Sequence, residues 1–78
     1  MKTIYHPQYV KLIQQLVDAR KSISLTQAQL AAILEKPQSY VAKVEGCERK
    51  LDVFEFVVWS QALGLRPSVV ISTIDTTY

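Results

Sequence analysis

Cysteine is nearly missing from this chain: Cys47 stands alone among 78 residues, so no intramolecular disulfide can form, and a lone thiol in so small a chain fits a reducing compartment. Histidine is as scarce, with His6 alone, and one His and one Cys cannot supply the paired ligands of a structural zinc site. No HExxH, no phosphate-binding glycine run and no GxSxG occurs. Glu45, Glu48 and Asp52 lack the alternating oxygen ligands of a calcium loop. Two glycines and three prolines leave no linker, low-complexity tract or internal repeat. No segment approaches the roughly 18 consecutive apolar residues of a membrane span, and the residues from Met1 to Pro7 lack the apolar stretch of a signal peptide. The expectation is a cytoplasmic protein with no membrane association, no catalytic residues, no cofactor and no metal. His6 reads as a solvated residue near a terminus, and Cys47 as a small residue at a helix end.

What remains is the composition of an ordinary globular domain. The chain is 49% hydrophobic and 21% charged, far from the low-hydrophobicity, high-charge region where chains stay disordered. One domain fills residues 1–78. The net charge of +2 says little, but its distribution says more. Lys2, Lys11, Arg20 and Lys21 outweigh Asp18 in the first 21 residues, and Lys36, Lys43, Arg49 and Lys50 outweigh Glu45 and Glu48 between 36 and 50. The last third holds Arg66 against Asp52, Glu55 and Asp75. One end of the molecule is expected to be cationic.

Helical periodicity runs through most of the chain. Tyr9, Leu12, Ile13, Leu16 and Val17 recur at three- and four-residue steps from Pro7 to Arg20, one stripe of an amphipathic helix. Leu25-Thr26-Gln27-Ala28-Gln29-Leu30 carries a capping box, Thr26 with Gln29, and a Leu25/Leu30 staple. Leu51-Asp52-Val53-Phe54-Glu55-Phe56 repeats that grammar with Asp52, Glu55 and a Leu51/Phe56 staple. Pro37 cannot lie inside a helix, but it suits the first turn of one, so Pro37 to Glu45 reads as a short helix burying Val41 and Val44 and ending at Gly46 or Cys47. Asp52 to Leu63 is apolar nearly all round, as in a central or interfacial helix. Gly64 ends it. In the tail, Pro67, Val70, Ile71 and Ile74 fit a short helix, although the β-branched residues also suit a strand.

The specific signal is the span from Gln27 to Gly46, where two short helices cross over a tight turn around small Ala31. There the sequence resembles a helix-turn-helix of the Cro/phage-repressor type, the XRE family. The matching residues run Leu25-Thr26-Gln27-Ala28-Gln29-Leu30-Ala31, Pro37-Gln38-Ser39-Tyr40-Val41-Ala42-Lys43-Val44-Glu45, Glu48-Arg49-Lys50-Leu51-Asp52 and Ala62-Leu63-Gly64. The resemblance covers nearly the whole chain. It implies an all-α, lambda-repressor-like bundle of four or five helices, with the helix-turn-helix at 26–46 and the Pro37 helix in the major groove of double-stranded DNA.

With Val41 and Val44 inward, the outer face of that helix presents Gln38, Ser39, Ala42 and Lys43, the expected base-reading set. Gln38 can pair with adenine, Lys43 can donate to guanine, Ser39 can do either, and the Ala42 methyl can touch a thymine methyl. The resemblance places Gln27 on a phosphate. Lys36, Tyr40, Arg49 and Lys50 are the other phosphate candidates. A two-fold homodimer is expected, because one module buries too little DNA surface for tight specific binding. Phe54, Trp59, Val69, Val70, Ile71, Ile74 and Tyr78 are its candidate patch, and 66–78 is its candidate dimerisation element.

Two short stretches depart from the family pattern. Glu35 stands where the turn usually has Gly, at a strain of roughly 1 kcal/mol if the left-handed geometry is kept, and Lys36 follows it in place of an apolar residue. Gly46-Cys47 replaces the usual basic-then-Gly pair and can move the helix end by one residue. The expected function is a dimeric transcriptional repressor on an inverted-repeat operator. Its rivals are an antitoxin-type autoregulator that also binds a toxin, a restriction-modification controller protein, and a helical interaction module that has lost DNA binding.

Overall fold

The computed structural model describes residues 5–74, which form five helices: α1 (Pro7–Ser22), α2 (Gln27–Leu34), α3 (Gln38–Glu45), α4 (Val53–Ala62) and α5 (Pro67–Ile71). No strand occurs among the described residues. Each start has a local cause. His6 caps α1 by accepting the Gln8 N–H on Nδ1 at 3.1 Å, with Pro7 in the first turn. Both capping boxes are closed. Thr26 Oγ1 accepts from Gln29 N while Gln29 Oε1 accepts from Thr26 N, and Asp52 Oδ1 accepts from Glu55 N while Glu55 Oε1 accepts from Asp52 N.

The ends are as informative. Glu35 takes the left-handed conformation, φ 56° and ψ 43°, and lets Lys36 N–H return to the Ala31 carbonyl at 2.9 Å. The second left-handed residue of this region is Cys47 (φ 56°), whereas Gly46 has an ordinary φ of −83°. At Gly46 a Cβ would make a tight contact, 3.2 Å from the Ala42 carbonyl oxygen. Two expected helix limits are corrected, one by a single residue and the other by two. Pro37 is the N-cap of α3, not part of its first turn, because its ψ of 153° is extended. The first helix continues past Arg20 to Ser22, whose hydroxyl donates to the Ala19 carbonyl. The ambiguous tail is helical, as α5.

The core is one cluster. Ile13 and Leu16 from α1, Leu30 and Ala31 from α2, Val41 and Val44 from α3, and Phe56 and Trp59 from α4 are all buried, closed by Leu51, Leu63 and Val70. α2 packs most extensively on α3, and small Ala31 permits that approach. The Tyr9 hydroxyl accepts from Leu51 N at 3.1 Å, pinning the loop before α4 onto α1. Thr73 closes the far side, accepting from Lys11 Nζ on its carbonyl and from Gln15 Nε2 on its hydroxyl.

Candidate nucleic-acid interface

Val41 and Val44 are completely buried, and their inward direction sets the outward one. Gln38, Ser39 and Lys43 are exposed and Ala42 is half-buried, so the four candidate base readers share the outer face of α3. Three cations flank α3 in the chain. Lys36 precedes α3, and Arg49 and Lys50 follow it, all exposed. Of the acids between residues 35 and 50, Glu35 and Glu48 are exposed, while Glu45 is neutralised.

That neutralisation is a buried polar knot. Arg20 from α1 donates from Nε to Glu45 Oε2 at 2.6 Å and from Nη2 to Glu45 Oε1 at 3.0 Å, and its Nη1 donates to the Leu25 carbonyl at 2.7 Å. The two side chains are only 9% and 7% exposed. Gln27 Nε2 adds a donor to Glu45 Oε1 at 2.9 Å. A bidentate guanidinium–carboxylate pair thus joins α1 to the end of α3, and Gln27 of α2 joins the same carboxylate. Arg20 therefore drops out of the cationic end anticipated from sequence: its charge is spent inside. Gln27, a phosphate candidate, has one amide hydrogen committed to Glu45 and keeps the other.

A second knot lies between α3 and the start of α4. Trp59 Nε1 donates to the Tyr40 hydroxyl at 3.1 Å, and that hydroxyl donates to Glu55 Oε2 at 3.2 Å. Arg49 Nη1 donates to the same Oε2 at 3.0 Å, and its guanidinium lies 4.8 Å from the Tyr40 ring centroid. Lys36 Nζ lies 5.5 Å from that centroid. The Asp52 N–H, together with Arg49 and Tyr40, holds the Glu55 carboxyl below the usual range, against a smaller opposing effect of burial. Burial pushes the Tyr40 hydroxyl up, with the Glu55 charge adding to it. Tyr40, a phosphate candidate, thus has its donor and acceptor engaged within the protein.

The candidate dimer patch is broken up. Trp59 is 1% and Val70 4% exposed, so both leave it: Trp59 is the largest fully buried side chain and Val70 closes the core under α5. Phe54, Val69 and Ile71 stay exposed, Ile74 is half-buried, and Tyr78 lies outside the described residues. Val53, absent from the expected patch, is the most exposed large apolar residue among those described, at 79%, beside Phe54 at 76%. The signal for it was local: a helix apolar nearly all round must leave some of its apolar side chains outside. Glu45 and Arg20 had no such signal, since they lie 25 residues apart and carry charges that read as surface. Among the described residues no helix is long and apolar enough to cross a membrane, and no cluster of His, Cys, Asp and Glu could hold a metal ion.

Two short helices crossing over a left-handed turn, the second with a buried valine side and a polar outer side, define a helix-turn-helix domain. No protein-family model matches the chain, and no curated protein does. Among solved structures, an XRE-family like protein from Pseudomonas syringae pv. tomato str. DC3000 is 41% identical and superposes with a TM-score of 0.82, over 90% of this chain and 85% of that one. The chain belongs to the XRE family, and that fold suggests a DNA-binding transcription regulator.

Proposed function

We propose that the protein is a sequence-specific, double-stranded-DNA-binding repressor that acts in the cytoplasm as a two-fold dimer on an inverted-repeat operator, with no catalysis of its own. The observation that carries this reading is the outer face of α3: Gln38, Ser39 and Lys43 stand exposed on a helix whose opposite side is locked into the core. Such a rod can lie in a major groove and present hydrogen-bonding groups to base edges. Lys36, Arg49 and Lys50 supply charge beside it for phosphates. The described body measures 38 × 24 × 21 Å, dimensions compatible with two copies whose α3 helices are about 34 Å apart, one turn of DNA.

The test is binding-site selection from a randomised duplex pool. Wild type is expected to enrich an inverted repeat. Gln38→Ala and Lys43→Ala are each expected to relax preference at one position of each half-site, with a loss of about 1–3 kcal/mol on the enriched duplex. Unchanged affinity and preference in both variants would sink the assignment of α3 as the reader. A protein-partner role gains its one specific support from the exposed Val53–Phe54 step, which a second copy covers in this reading. A toxin covering it instead would co-purify with the protein in stoichiometric amount.

A further inference from the structure

Arg49 is not an ordinary solvated cation. Its guanidinium is caught between the Tyr40 ring, 4.8 Å away, and the Glu55 carboxylate, 3.0 Å away. Nη1 makes both of its hydrogen bonds, to Glu55 and more weakly to the Lys50 carbonyl at 3.5 Å. Among the described residues nothing accepts from Nε or Nη2, and the side chain is 44% exposed. One edge of the planar fork is therefore held by the protein while the other is left to solvent. The holders are themselves held: Glu55 Oε1 accepts from Asp52 N, and the Tyr40 hydroxyl is fixed between Trp59 Nε1 and Glu55 Oε2.

We propose that Glu55 is a positioning residue for DNA binding: with Tyr40 it forms a socket that orients Arg49, so that the free edge of the guanidinium meets a backbone phosphate beside α3. The proposal rests on the DNA-binding reading above and assigns to an acidic side chain a favourable part in it. Simple charge counting predicts the opposite sign, because removing a carboxylate near a polyanion should tighten binding. A socket predicts weakening, because an arginine no longer aimed at the phosphate gives up that contact, its rotamer entropy opposing the one geometry the contact needs.

Glu55→Gln separates the two. Gln still closes a capping box, so α4 keeps its start, while the charge that holds Arg49 is gone. Binding is measured on a mixed-sequence duplex over a series of salt concentrations, since phosphate contacts are independent of sequence. Glu55→Gln is expected to weaken binding by about tenfold at low salt, the scale of one charge-assisted hydrogen bond. It is also expected to lower the slope of log K against log salt by about 0.9, the loss of one phosphate contact. Arg49→Ala is expected to do the same, and Glu55→Gln added to Arg49→Ala is expected to change nothing more. A merely structural Glu55 would lower the melting temperature and leave the slope where it was, which would overturn the proposal. Tighter binding by Glu55→Gln, or an equal loss in the Arg49→Ala background, would overturn it too while leaving DNA binding intact. Absence of salt-dependent binding by wild type would remove both readings together.

Discussion

Among single residues, the acids carry more of the structure than the charge pattern suggests. Glu55 reads from sequence as the far end of a capping box, and it is that; the same carboxylate also receives Arg49 and Tyr40. Its ionised form is therefore favoured in the folded protein. The sign follows: a carboxyl lowered below its unfolded value of about 4.3 contributes stability that is fully present above that value and is lost as pH falls through the folded one. Glu55→Gln, neutral throughout, is expected to show a flatter acid limb, with the gap between wild type and variant closing as pH drops from about 5 toward 3. Urea denaturation at a series of pH values measures this, and parallel limbs would refute it. Glu35 is a different case, legible in advance because a turn of this kind needs a left-handed residue. The chain accepts that strain with an ordinary side chain at φ 56°.

Between elements, the Arg20–Glu45 pair decides how the recognition helix is held. It joins α1 to the last residue of α3, and Gln27 brings α2 to the same carboxylate. Removing one partner leaves an uncompensated buried charge, so Arg20→Ala and Glu45→Ala are each expected to cost about 3–5 kcal/mol. That is a large part of what a domain of this size has to spare, at roughly 0.05–0.15 kcal/mol per residue. Replacing both by Met is expected to cost less than the sum of the two single changes. Chemical denaturation of the three variants provides the measurement, and single costs under about 1 kcal/mol would mean the pair is effectively solvated. Helix limits were the most readable feature at this scale. Capping boxes at Thr26 and Asp52, the proline before α3 and Gly64 after α4 are short-range chemistry, complete within four or five residues. Pro37 and Gly46 show how fine that reading can be: Pro37 marks the right boundary yet caps where a first turn was expected, and Gly46 ends α3 as one of the two residues expected to.

For the whole molecule, the question is which apolar surface is left over. Val53 and Phe54 stand out at the head of α4, with Val69 and Ile71 exposed on α5. Trp59, about one turn on from Glu55, is completely inside. Phe54→Glu is expected to shift sedimentation toward monomer and to weaken binding to an inverted repeat, while the melting temperature moves by no more than the roughly 2–4 °C that an exposed substitution worth about 0.5 kcal/mol brings. An unchanged sedimentation coefficient would place the dimer contact elsewhere. Trp59→Ala, by contrast, is a core change of the class that costs about 3–5 kcal/mol.

Local patterns were enough to establish an all-helical chain, the starts and stops of its helices, and the polar outer face of α3, because each depends on hydrogen bonds and side-chain periodicity within a turn or two. They also carried the family resemblance. Long-range pairing was beyond them. That Arg20 is an internal strut while Arg49 is a half-free fork, and that Trp59 and Val70 are core while Val53 is surface, depends on which helices meet. Two arginines or two valines are chemically the same until the packed chain gives one of them a buried partner and the other water.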